Sequence, residues 1–161
     1  MRQKPGSKDM AQLAQLNIAR MKYAYDGAEM QDFIDALNPV NETADASPGF
    51  VWRMVSDQDS SMELEAFENK GWLVNMSVWQ SLSDLKGFMS SPLHLSIMRR
   101  RAEWFEKTDQ ATMVLWWVND GHIPEFPEAI ERLEYLRAHG SSEHAFSFSK
   151  AFKQNGTPED R

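Results

Sequence analysis

Cysteine is absent from the 161 residues. That excludes disulfides, thiolate nucleophiles and thiolate-bound metals, and it fits a cytoplasmic setting. Long apolar runs are absent too. No uninterrupted stretch approaches the ~18 residues of a membrane-spanning helix, so no membrane span is expected. The start, MRQKPGSKD, is charged and polar with no apolar segment behind it. It does not read as a signal peptide, and residues 1–9 read as a disordered leader. Positive charge is scarce: 17 Lys and Arg stand against 24 Asp and Glu, a formal net charge of −7. Neutralising phosphates needs a cationic surplus, so nucleic acid is not an expected partner. No glycine-rich phosphate loop, G-x-S-x-G elbow or paired-carboxylate signature occurs.

What the chain has in quantity is soft and aromatic apolar surface: six Trp, nine Phe and ten Met. Such a supply fills a core and leaves some to line a cavity or an interface. The length suits a single domain, placed at residues 10–152, with 153–161 as a flexible tail. Along it, Leu13 to Met21 alternates, with Ala14, Leu16 and Ile18 on one face and Leu13, Gln15, Asn17 and Ala19 on the other. Asp26 to Glu29 resembles a capping box opening a helix through Leu37, with a kink or break expected at Pro39. Phe50 to Val55 reads as a second strand, and the acidic run Ser56 to Glu65 as a hairpin loop. Gly71 to Gln80 alternates again, Leu73, Asn75, Ser77 and Trp79 sharing a face. Ser81 and then Ser91-Pro92 start two helices. Ala111 to Val118 is a fourth strand. A helix from Pro127 closes at Gly140, and His144 to Phe152 reads as a short last strand.

The order is βαββαβ with an extra C-terminal helix and strand, which is an α+β, ferredoxin-like succession. Its crossover helices cover one face of the sheet. The other face carries Trp and Phe and therefore asks for a cover, which a second copy of the chain would supply as a homodimer.

His94 falls near the third position of the helix begun by Ser91-Pro92. The positive end of the helix disfavours imidazolium there, and a neutral imidazole suits either a general base or a metal or haem iron. The alternative is a histidine bonded locally at the start of the helix. Arg99, Arg100 and Arg101 spread around a helix. Helical spacing puts Arg101 on the face of His94 and Met98, beside a stripe of Ile97 and Trp104. One arginine is expected to reach a carboxylate, or else a substrate anion. Asn17, Asn75 and Ser77 interrupt apolar strands, and with Trp79 they make a candidate pocket lining on the face away from the helices. Arg53 and Trp52 point to opposite faces, and either one is a lining candidate. His122, His139 and His144 read as exposed.

The stretches LAQLNIARM, SPGFVWRM and LVNMSVWQSLSDLKGF, then His94 six residues ahead of RAEWF, and a closing WWV, resemble a bacterial family of unknown function. That family is similar to spheroidene monooxygenase and to antibiotic-biosynthesis monooxygenases, among the dimeric α/β-barrel proteins. The resemblance covers residues 10–152. It implies a homodimer with a pocket in each subunit for a small apolar or aromatic molecule, and a monooxygenase-like oxidoreductase. Haem is the cofactor it brings in. His94 would then be the axial ligand of the haem iron, and Arg101 would steady a propionate. In a cofactor-free enzyme Asn17, Asn75 and Trp79 would hold the substrate, with Arg53, Ser77 and Trp104 lining the pocket and His94 moving a proton. The alternative is a non-enzymatic protein that binds haem or a small ligand.

Overall fold

A computed structural model describes residues 11–55 and 62–159. The proposed leader lies outside them, as does most of the expected hairpin loop. Four strands, β1 (Gln12–Arg20), β2 (Phe50–Arg53), β3 (Trp72–Trp79) and β4 (Met113–Val118), form one sheet in the order β2-β3-β1-β4. Every neighbouring pair is antiparallel. This is the ferredoxin-like arrangement expected from the succession of elements.

Helices cover both faces. α1 (Gln31–Asp45) joins β1 to β2, and α3 (Leu82–Met89), α4 (Pro92–Arg99) and α5 (Arg101–Trp104) join β3 to β4. These four lie on one face. α2 (Met62–Asn69) and α6 (Phe126–His139) lie on the other. There Ala14, Leu16, Met76, Val78, Val114 and Trp116 meet Leu64 of α2 and Phe126, Ala129, Leu133 and Leu136 of α6, all buried. The α6 residues recur at the three- and four-residue spacing of one helical stripe. Each large side chain so enclosed contributes about 1.5–3 kcal/mol. The sheet face that would otherwise need a partner subunit is thus covered within the chain, and it gives no reason for a homodimer.

Local chemistry explains most element ends. Ser81 Oγ accepts the backbone N–H of Asp84 at 3.1 Å and caps α3 as expected. Ser91 precedes α4, with Pro92 in its first turn, but its side chain makes no capping bond. Gly140 ends α6 at φ +77° and donates to Leu136 O. Gly49 sits at φ +79°, where an added Cβ would overlap the Asp84 carboxylate.

Several expectations are corrected. Asp26 does not cap α1, because Gly27 N–H turns back onto Ala24 O and a 3₁₀ turn at Ala28–Met30 leads in. α1 runs through Pro39 without a break; Pro39 lies on the exposed side, where water can satisfy the carbonyl it leaves unpaired. The acidic stretch before β3 holds a helix, α2, whose Leu64 and Phe67 reach the core. Residues 144–152 form no strand, only a bridge of Phe146 to the edge of β4 at Leu115 and a second bridge, Phe152 to Pro158. Lys153 N–H bonds Thr157 O and Glu159 N–H bonds Ala151 O, which closes a turn over residues 151–159.

Candidate functional site

The two faces of the sheet differ in chemistry. Beneath α1, α3, α4 and α5 the apolar packing divides into two clusters. One gathers Leu13, Trp79, Leu82, Leu85 and Leu115, with Phe88 against it. The other gathers Met30, Trp104 and Phe105, with Ala19, Phe33 and Leu73 against it. Between them, in the middle of the sheet, alternation brings up polar residues. Asn17 faces Asn75 across β1 and β3, and Gln15 faces Ser77 in the next pair. Beyond Ser77, on the edge strand, stands Arg53. A register shift between Phe50 and Trp52 lets Val51 and Trp52 both pack toward α2 and α6, and Arg53 returns to the polar side.

This strip is hydrogen-bonded internally. Gln15 Nε2 donates to Asn75 Oδ1 at 2.6 Å and to Ser77 Oγ at 2.8 Å. Trp79 Nε1 donates to the same Ser77 Oγ at 2.8 Å. Gln15 and Ser77 are 3 % and 6 % exposed, and Trp79 1 %. Asn75, in contrast, is the exposed residue of β3. Asn17 is half-buried, and its amide makes no side-chain hydrogen bond among the described residues. A central strand that exposes an amide beneath a helical layer marks an opening in that layer. The expected lining residues Asn17, Asn75, Ser77, Trp79 and Arg53 therefore do share one face. It is the face under the crossover helices, not the one away from them.

His94 occupies the third position of α4. Its Nδ1 lies 3.0 Å from Met89 O. A carbonyl only accepts, so Nδ1 carries the hydrogen and the neutral ring keeps its lone pair on Nε2. Burial holds the imidazole below the usual histidine range, outweighing the opposite pull of the Met89 carbonyl. The ring meets the edge of Phe88 at 5.1 Å between centroids, and Phe88 stacks on Trp79 at 5.3 Å. His94 thus connects to the polar strip through two aromatic rings.

The arginines fall differently from their helical spacing. The chain leaves α4 at Arg100 (φ −97°, ψ 4°) and restarts as α5 at Arg101, so no continuous helix carries Arg101 onto the face of His94. The bonded residue is Arg100. Its guanidinium reaches Asp32 of α1 at 2.8 Å and Glu103 at 2.9 Å, and it lies 4.8 Å above the Trp104 ring. Trp104 is buried against Phe33 and Phe105 in the cluster that includes Ala19 and Leu73, two residues along the strands from Asn17 and Asn75. Arg53 donates to Asp45, near the end of α1, at 2.8 Å. The adjacent tryptophans divide between the faces: Trp116 donates to Glu128 of α6, and Trp117 to Phe152 O.

Two features are not legible in the sequence. Alternation places Gln15 on the right face, yet its role as hub of the strip depends on pairing across β1 and β3, which alternation does not give. The second is a dyad at the start of α6. Glu128 accepts from buried Trp116 on one oxygen and lies 2.7 Å from His122 Nε2 on the other. It borders an open depression of about 440 Å³ with Trp52, Ile123, Pro124 and Pro127. Among the described residues no group of three metal-ligating side chains occurs, and no helix is long and apolar enough to cross a membrane.

Known proteins add a family to this geometry. No curated protein matches the chain. A conserved protein from Methanosarcina mazei Go1 superposes with a TM-score of 0.49 at 14% identity, over 70% of this chain and 96% of that one. SnoaB, a cofactor-independent oxygenase from Streptomyces nogalater, gives 0.45 at 15%, over 71% and 98%. A hydroxynitrile lyase from Passiflora edulis gives 0.45 at 15%, over 70% and 97%. Likeness of this extent joins proteins of unlike chemistry and assigns none of them to this chain. The family profile is more extensive, spanning residues 12–161, and by it the chain belongs to the family described as domain of unknown function (DUF3291).

Proposed function

We propose that this protein binds an apolar, aromatic small molecule against the strip of Asn17, Asn75 and Ser77 and oxidises it with dioxygen, without a resident cofactor. The observation that carries the reading is the strip itself: a hydrogen-bonded polar floor, open at Asn75, set between two apolar clusters. Ligand sites typically combine apolar walls with a few fixed polar groups. Trp79 and Trp104 supply walls, the two amides orient the substrate, and Arg53 flanks them.

His94 is the base in this scheme. Its Nε2 takes a proton from an activated C–H or phenolic O–H of the substrate. The resulting carbanion or phenolate gives its electrons to dioxygen, forming a C–O bond. Loss of water then leaves a carbonyl where a CH₂ stood. One oxygen atom enters the product and the other leaves as water, and the substrate itself is the reductant.

Haem fits these residues incompletely. The Nδ1 bond of His94 to a backbone carbonyl would leave Nε2 free to hold a haem iron. Against this, Phe88 packs against the His94 ring, Arg101 stands off α4, and Arg100 is already held by two carboxylates.

A second reading rests on one observation: Phe88 and Trp79 stand between His94 and the strip. In a carrier that binds without reacting, no proton need pass between them. An oxygen electrode separates the two readings with a panel of hydroxyaromatic compounds. Oxygen uptake, with a product that gains one oxygen and loses two hydrogens, and loss of uptake in His94→Gln, supports the oxygenase. Binding without uptake supports the carrier. A Soret shift on haem titration that disappears in His94→Ala overturns the cofactor-free reading.

A further inference from the structure

We infer that Gln15 sets the hydrogen-bonding polarity of this pocket, so that its ligand presents an oxygen acceptor, a carbonyl or phenolate, to Asn75. The inference rests on the strip being a ligand floor, as proposed above.

Trp79 fixes one bond of the network. An indole N–H only donates, so Ser77 Oγ must accept at 2.8 Å. Gln15 Nε2 has two hydrogens, and both are placed, one on Ser77 Oγ and one on Asn75 Oδ1. The Asn75 carbonyl oxygen therefore points inward to Gln15. Its amino group points away from Gln15 and has no partner among the described residues, on the exposed residue of β3. Ser77 has both lone pairs occupied, which leaves its hydroxyl hydrogen as a further donor. At Asn75 and Ser77 the floor consequently offers hydrogens. Arg53, across from Ser77, adds guanidinium donors at the same margin, its charge balanced by Asp45. Each of these groups complements an oxygen acceptor.

An isosteric network with every amide reversed has the opposite meaning. Ser77 and Asn75 would then donate to Gln15 Oε1, and Asn75 would present its oxygen to the ligand. Gln15 is 3 % exposed, so it cannot turn without leaving hydrogens unpaired in the interior. Such a loss costs about 1–3 kcal/mol per group. Gln15 is thus a positioning residue that acts through Asn75.

Three tricyclic probes of nearly one shape test this by calorimetric titration: fluorenone, which only accepts, carbazole, which donates through N–H, and fluorene, which does neither. Native protein is expected to bind fluorenone about 10-fold more tightly than fluorene, the worth of one well-placed hydrogen bond, and carbazole no better than fluorene. Gln15→Glu can only accept from Asn75. It should turn that amide around and reverse the preference toward carbazole. Gln15→Met keeps volume without donors and should erase the difference between fluorenone and carbazole, and it serves as the test if the buried carboxylate of Gln15→Glu prevents folding. Native preference for carbazole, or an unchanged ratio in a folded Gln15 variant, overturns the inference while leaving the pocket in place. Failure of all three probes to bind the native protein overturns the pocket reading and the inference with it.

Discussion

Leu16 and Gln15 are neighbours on β1, both almost fully buried, and they face opposite layers. Leu16 looks toward α2 and α6 into a continuous apolar cluster. Gln15 looks toward α1, α3, α4 and α5 into a face where polar groups separate one apolar cluster from another. The closed face is close to what stability alone would produce, since it packs apolar side chains and Trp116 hands its one N–H to Glu128 of α6. The divided face holds amides that an aliphatic filling could replace with no unpaired group left behind. Polar residues kept where packing does not require them point to a site.

Substitutions that sharpen this contrast differ in size. Leu16→Ala, at the centre of the closed face, should lower stability by about 2–5 kcal/mol, because the cavity cannot collapse between two helices and a sheet. Denaturant unfolding measures that loss, and fluorenone affinity of the folded fraction should stay unchanged. An equal loss of affinity would mean that the two faces are not independent. Asn75→Ala should act mainly on binding, with fluorenone affinity reduced about 10-fold and stability lowered by about 1 kcal/mol, because a Gln15 hydrogen loses its acceptor. Between these lies Ser81→Ala. It removes the cap of α3, which carries Phe88 over Trp79, and should cost about 1 kcal/mol. Thermal melts would register it, with a smaller weakening of binding than Asn75→Ala gives.

Much of this contrast is legible in the chain, because strand alternation is local. Asn17, Asn75, Ser77 and Trp79 fall on one face from their spacing alone, as does the apolar set opposite them. Which helices cover which face is not local. The succession of elements puts the strip on the uncovered side, because the acidic stretch before β3 hides α2 and nothing in the spacing marks α6 as half of a second layer. With two helices spare, the chain closes the face that a partner would otherwise occupy. Helical spacing assigns Arg101 to the face of His94 only if one helix runs where the chain makes two. Gln15 carries no signal of its own, since a glutamine in a strand gains its meaning from the register of the strand beside it.

His94 gives the smallest effect, and its sign follows from its surroundings. Burial depresses its folded-state pKa below the ordinary value of about 6.5 that the unfolded chain retains. Between those two values the unfolded state binds more protons, so stability rises with pH through that window and levels off above about 6.5. As pH falls through the window, the unfolded chain takes up the proton while the enclosed native ring stays neutral. The full contribution is present above the unfolded value and is lost as pH drops through the folded one. Among the described residues the groups bonded or stacked on His94 are the Met89 carbonyl and Phe88, neither of which titrates. The slope therefore belongs to the imidazole and should vanish in His94→Gln. Thermal melts of native protein and variant, compared from roughly pH 5 to 8 across that reference value, should diverge at the acid end and run parallel above it. A variant that keeps the native slope would show that His94 is solvated rather than enclosed. It would then lack the depressed basicity that keeps it a neutral base.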